Sequence, residues 1–156
     1  MIEPVLFDQL PLFRGIDKAT MALLAPHFER ATYASGSIVF NQGDPAQHLF
    51  ILLNGSVSIE YKPPDGEVLV VAEIVKHNVF GWSAALGHRN YSSSAICIEA
   101  CDVLIIQGQS LQHLCQDHPE TGVIILERLA GVIAQRLRNT HEHVVTMLKN
   151  GINPPS

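Results

Sequence analysis

Residues 35–55 read SGSIVFNQGDPAQHLFILLNG, and the alternation of turn residues with short apolar runs in this stretch decides the fold class. Ser35-Gly36 opens an apolar run, 37–40, that stops at Asn41-Gln42-Gly43-Asp44. A second run, 48–54, follows and stops at Gly55. Both are shorter than the roughly ten residues a helix needs, and both are bounded by turn formers, so each reads as a strand. Working outward, 56–61 alternates, with Val57, Ile59 and Tyr61 on one side. It meets Pro63-Pro64-Asp65-Gly66, where proline presets φ and glycine permits positive φ. Residues 67–75 are mostly apolar, which predicts a strand covered on both faces. Strands over 93–100 and 103–107 complete the set. Many short strands at this spacing over 31–107 predict a sandwich or a closed jelly roll.

On either side the period changes to that of helices. Residues 1 to about 30 are predicted helical, with Leu6, Leu10 and Phe13 at helical spacing. Asp17 is the expected cap before Met21, Leu24 and Phe28, and Pro26 closes that run. From 110 to about 150 the helix signal returns. Ser110 is the expected cap of 111–116, Asp117 precedes a second helix with Pro119 at its first position, and Asn150-Gly151 is its expected stop. On this second helix Val123, Leu126, Ala130, Ile133, Leu137, Thr140, Val144 and Met147 step by alternating three and four. That is an a/d seam, widened at first by Ile124, Ile125 and Leu129 and flanked by polar residues beyond Arg136. A narrow seam suits a partner helix, so the seam from Leu126 to Met147 predicts a homodimer. Ala130 and Thr140 make its apolar surface thin.

Composition narrows the function. The chain has 156 residues, 47% of them hydrophobic, enough for one domain with a real core. Ten Lys and Arg against fifteen Asp and Glu give a net charge of −5, which offers phosphate backbones little sequence-independent attraction. No apolar run approaches the ~20 residues of a membrane helix, and Met1-Ile2-Glu3-Pro4 lacks the basic start of a signal peptide. The three cysteines, Cys97, Cys101 and Cys115, make no disulfide framework. His113-x-Cys115-x-x-His118 and His141-x-His143 lack zinc-site spacing. No nucleophile–base order with a local signature and no paired carboxylates appear, so an enzyme is not expected and no metal is.

The stretch Val79-Phe80-Gly81-Trp82-Ser83-Ala84-Ala85-Leu86, followed by a polar loop and Tyr91-Ser92-Ser93-Ser94-Ala95-Ile96, reads as strand, glycine turn, one helical turn, loop, strand. Exposed backbone N–H groups and serine hydroxyls at such a turn attract an anion. In order along the chain stand Leu12-Phe13, residues 35–40, Asn41-Gln42-Gly43-Asp44-Pro45-Ala46, Phe50-Ile51-Leu52-Leu53-Asn54-Gly55, Val79-Phe80-Gly81 and 95–106. This set resembles the cyclic-nucleotide-binding domain shared by catabolite-activator-like bacterial regulators, kinase regulatory subunits and gated channels. The resemblance implies one mainly β domain over 1–156: a β-jelly roll, or double-stranded β-helix, with N-terminal helices and a long C-terminal dimerisation helix. It also implies a phosphate-binding cassette made here by Phe80, Gly81, Trp82, Ser83, Ala84, Arg89, Tyr91, Ser92, Ser93 and Ser94, and a ligand that is a cyclic nucleotide (cAMP or cGMP) or a related small molecule.

The cassette departs from the family pattern at its charged positions. Ligand-binding members place a Glu directly after the Phe-Gly pair and an Arg at the start of the next strand; here those positions are Trp82 and Tyr91. Ser92, Ser93 and Ser94 keep the hydroxyl part of the cradle, and Arg89 lies two residues early. Loss of a charge-assisted phosphate contact costs ~1.5–3 kcal/mol, ten- to hundredfold in affinity. Lys76-His77-Asn78 stands where the family has a Gly-Asp or Gly-Glu turn. The expected function is a cytoplasmic, non-enzymatic sensor that signals through its C-terminal helix. Family transcription factors continue into a helix-turn-helix, whereas this sequence reads to Ser156, so the expected output is a regulatory protein partner, with no direct nucleic-acid or membrane contact. The alternative is a degenerate jelly roll that serves as a structural or interaction domain without nucleotide.

Overall fold

The computed structural model describes residues 4–85 and 87–152. Two short helices, α1 (Pro4–Asp8) and α2 (Lys18–Leu24), are each followed by a 3-10 turn, Pro11–Phe13 and Ala25–His27. The helical spacing of Leu6, Leu10 and Phe13 is therefore split, because Pro11 supplies no amide to continue the ladder. Asp17 caps α2 as expected: its carboxylate accepts from the Thr20 N–H at 2.6 Å. Those hydrogen bonds hold its carboxyl below the ordinary range.

The first strand, β1 (Phe28–Tyr33), begins where a helix was expected. Only Phe28 is buried in it, so its local alternation is faint. It is a strand because β8 (Cys101–Gln107) pairs along it, from Phe28↔Ile106 to Tyr33↔Cys101. Phe28 packs its ring against Phe7 and Phe13, with centroids 5.4 and 5.5 Å away, and so ties the N-terminal helices to the sheet.

The remaining strands are β2 (Ile38–Phe40), β3 (His48–Asn54), β4 (Val57–Tyr61), β5 (Leu69–Ile74), β6 (Val79–Phe80) and β7 (Ser94–Cys97). They form two antiparallel sheets of four, β1-β8-β3-β6 and β2-β7-β4-β5. The fold is a jelly roll flanked by helices. The first sheet is covered on both faces, which explains the unbroken apolar run of β3. Leu49, Ile51 and Leu53 pack under the helices, while Phe50 and Leu52 face the barrel interior. The expectation that 67–75 is also covered on both faces is corrected. There β5 is the edge of its sheet, and Val68 and Val70 are about half exposed (52% and 50%).

Two helices close the barrel, α3 (Gly108–Asp117) and α4 (Pro119–Ile152). Gln107, not Ser110, holds the cap position of α3, and Ser110 sits inside the helix. At its first residue, Gly108, a Cβ would fall 2.4 Å from the Ala84 carbonyl oxygen. Only glycine lets α3 touch the turn after β6. At a rise of ~1.5 Å per residue α4 is roughly 50 Å long, and it runs through Asn150-Gly151 to Ile152 rather than stopping there. Pro154-Pro155 lies outside the described residues. Along α4, Ile125 and Leu129 are fully buried in the core beneath the first sheet. Of the expected seam, Val123, Leu126, Ala130 and Leu137 are exposed and Ile133 is half-buried. The side chains of Thr140, Val144 and Met147 lie outside the described residues. Among those described, no helix is long and apolar enough to cross a membrane.

Candidate functional site

The cassette begins at the end of β6, where Gly81 adopts φ +74°. A Cβ there would meet Phe50 Cδ2 at 2.9 Å and the His48 carbonyl oxygen at 3.2 Å, so both backbone angle and space demand glycine. The chain reverses and enters one 3-10 turn, Trp82–Ala84, closed by the Ala85 N–H donating to the Trp82 carbonyl at 2.9 Å. Phe80, Ser83 and Ala84 are buried. Leu86 lies outside the described residues.

Tyr91, at the position of the family arginine, is drawn inward. Its ring stacks on Phe40 with centroids 3.7 Å apart and planes 15° off parallel. Its hydroxyl donates to the His48 carbonyl at 2.6 Å and accepts from the His48 N–H at 3.1 Å. Its backbone pairs with the facing loop: the Tyr91 N–H donates to the Asp44 carbonyl, and the Gly43 N–H donates to the Tyr91 carbonyl, each at 2.9 Å. Burial pushes the phenol above its ordinary pKa. Tyr91 thus pins the 43–48 loop, and both hydrogen-bonding capacities of its hydroxyl go to backbone. Ser94 is similarly engaged, its Oγ accepting from the Gln42 N–H at 2.8 Å.

Phe80, Gly81, Trp82, Ser83, Tyr91, Ser92 and Ser93 do come together, around a recess of about 40 Å³. Ala84 packs just behind it against Gly108. Arg89 is exposed and does not line the recess; its carbonyl accepts from the Ala46 N–H at 2.8 Å. The cation at the recess is Arg136, which comes from α4. Its guanidinium carbon lies 4.8 Å from the centroid of the Trp82 ring, and its Nη2 donates to the Val79 carbonyl at 3.4 Å. Burial holds its pKa below the ordinary value. A signal for Arg136 existed in the sequence. Ile125, Leu129, Val132 and Arg136 lie at i, i+4, i+7 and i+11, so the inward stripe of α4 runs directly into it.

The recess has room for a water or two, while pockets for small ligands run to roughly 300–1,000 Å³. A nucleotide enters only if Trp82 and Arg136, which close the recess, part. The cysteines stay apart from this chemistry. Burial, with Cys101 alongside, pushes the Cys97 thiol up to about 12, and burial also raises Cys115. Protonated thiols are poor nucleophiles and metal ligands. Among the described residues no three His, Cys, Asp or Glu side chains gather as a metal site.

Two antiparallel four-stranded sheets with flanking helices, and a single helical turn inserted between β6 and β7, are the architecture of regulatory jelly-roll domains. The chain belongs to the cyclic nucleotide-binding domain family, whose family model matches residues 30–118. It is 26% identical over 137 residues to a CRP-like cAMP-activated global transcriptional regulator of Mycobacterium tuberculosis, covering 88% of this chain and 59% of that protein. It is 27% identical over 128 residues to the cyclic AMP receptor protein of Thermus thermophilus, covering 82% and 57%. The chain therefore spans less than two thirds of the length of these curated relatives. Among solved structures, a cyclic nucleotide-binding domain from Methylobacillus flagellatus superimposes with a TM-score of 0.80 at 17% identity, covering 92% of this chain and 80% of that one.

Proposed function

We propose that this chain is a non-enzymatic sensor module that pairs with a second copy through α4 and passes the state of its cassette along that helix to a partner protein. One observation carries the reading: Arg136 of α4 rests on Trp82 of the cassette turn, 4.8 Å from the ring centroid. That contact links the cassette turn to the helix that carries the exposed Leu126 and Leu137. The ligand whose chemistry matches the lining, once Trp82 and Arg136 part to admit it, is a cyclic nucleotide, cAMP or cGMP, or a related small aromatic anion. Trp82 offers a face for stacking, Ser92 and Ser93 offer hydroxyls, and Arg136 offers the cation absent at position 91. The net charge of −5 supports output through protein contact rather than direct nucleic-acid contact by this chain.

A second reading is a degenerate jelly roll that binds no nucleotide, favoured by the 40 Å³ recess and by the stacking of Tyr91 on Phe40. Isothermal titration calorimetry with cAMP, cGMP and cyclic dinucleotides separates the two. The sensor reading expects saturable binding by one of them, weakened at least tenfold by Arg136→Gln, since a hydrogen bond to a charged group contributes about 1.5–3 kcal/mol. Absence of binding by every cyclic nucleotide, in calorimetry and in thermal shift alike, overturns the cyclic-nucleotide sensor and favours the degenerate reading. Tyr91→Arg is a poor probe of either, because it breaks the Phe40 stack and both His48 hydrogen bonds.

A further inference from the structure

A cavity of about 560 Å³ lies on the other side of Arg136, between α4, the 3-10 turn at Pro11–Phe13 and β5. In a chain with ten lysines and arginines and a net charge of −5, three of the ten line this one cavity: Arg14, Arg128 and Arg136. The cavity holds one carboxylate, Glu73, whose Oε1 already accepts from the Ser56 Oγ at 2.9 Å. Three positive charges against one negative leave the walls at +2. Among the described residues none of the three guanidinia forms an ion pair.

Among the described residues two of the guanidinia each make one hydrogen bond, to a backbone carbonyl. Arg128 Nη1 donates to Pro11 at 3.0 Å, and Arg136 Nη2 donates to Val79 at 3.4 Å. A guanidinium has five N–H donors, so most of each fork is left for something else. Arg136 and Arg128 are also partly withdrawn from water, where a cation without an anion is costly. The apolar walls, Leu12 and Val132, complete a site of ordinary small-ligand size. Guanidinium forks match carboxylate and phosphate oxygens in pairs. Eight residues of helix separate Arg128 from Arg136, about 12 Å along the axis, which favours a ligand with more than one anionic group.

We infer that this groove is a binding site for a small polyanion, a molecule carrying two or more phosphate or carboxylate groups, adjoining the cassette, sharing Arg136 with it and reading out through that residue. Arg14 and Arg128 line the groove and not the cassette, so the inference stands whether or not a cyclic nucleotide enters the cassette. Trp82 is the one tryptophan of the chain, and Arg136 sits over its ring, so intrinsic fluorescence reports the groove directly.

The test titrates the full chain with pyrophosphate and, in a parallel arm, citrate, with sodium chloride at matched ionic strength as control. The two arms distinguish a phosphorylated from a polycarboxylate ligand. Expected is a saturable change in Trp82 emission with at least one of them and none with chloride. Arg14→Gln, an exposed substitution, and Arg128→Gln are each expected to weaken binding at least fivefold by calorimetry, with circular dichroism unchanged for Arg14→Gln. A double Ser92→Ala, Ser93→Ala variant is expected to bind as the wild type does. Loss of binding in that serine variant but not in Arg14→Gln places the anion in the cassette and overturns the inference. A response that chloride reproduces, or none with either polyanion, overturns it as well.

Discussion

His77 carries a backbone angle that its side chain disfavours. Its φ is +73°, the one positive value at a non-glycine among the described residues, and its N–H donates to the Leu52 carbonyl at 2.6 Å. Asn78 braces the same turn, its side-chain amide donating to the carbonyls of Val75 and Lys76 at 3.2 and 3.3 Å. A left-handed residue with a Cβ costs roughly 1–2 kcal/mol, and glycine costs about 0.5–1 kcal/mol in backbone entropy. His77→Gly is therefore expected to stabilise the fold by about 0.5–1 kcal/mol, raising Tm by roughly 1–4 °C in a chain of this size. Differential scanning calorimetry reads this, and a lower Tm would show that the imidazole supports the turn. The sequence made the place of this oddity visible, at Lys76-His77-Asn78, just as it made Trp82 and Tyr91 visible as departures from a family pattern. It did not show that the Tyr91 hydroxyl is committed to His48, forty-three positions away. It did not single out Arg136 either, whose partner Trp82 is brought near only by folding.

At the scale of elements, legibility followed the locality of the signal. Strand β3 matches its expected bounds because its apolar run and flanking turns are local, whereas β1 owes its existence to β8, some seventy residues on. Apolar content alone could not tell β3, inside a sheet, from β5, at an edge; only the strand order does that. Helix α4 was legible in length, yet its two faces serve different ends. Leu129 is 1% exposed in the core and Leu126 is 44% exposed. Leu129→Ala is expected to cost about 2–5 kcal/mol, from lost burial and the cavity it leaves. Leu126→Ala is expected to stay within about 0.5 kcal/mol in dilute protein, as a surface change does. Urea denaturation midpoints of the two variants compare the faces, and equal losses would show that α4 is rotated from the orientation described.

For the molecule as a whole, the outer face of α4 is an apolar surface that the fold leaves uncovered among the described residues. Val123, Leu126 and Leu137 are 54%, 44% and 63% exposed on one long helix, with their apolar area in a stripe rather than scattered. A stripe at heptad spacing is filled best by the same stripe on an antiparallel or parallel copy, since an isologous contact satisfies both at once. If the native protein is a dimer and the unfolded chain is not, association shifts the folding equilibrium. A hundredfold rise in concentration then stabilises each protomer by roughly 1.4 kcal/mol, or about 3–6 °C in Tm. Leu137→Asp places a charge in the middle of the stripe, where burial against a partner leaves it unpaired. Its Tm is expected to be independent of concentration, with unchanged circular dichroism because residue 137 is outside the core. Sedimentation equilibrium on the same samples gives the mass directly. A wild-type protein that sediments as a monomer and melts at one temperature across that range would mean that α4 meets a different partner, and that the sensor works as a single copy.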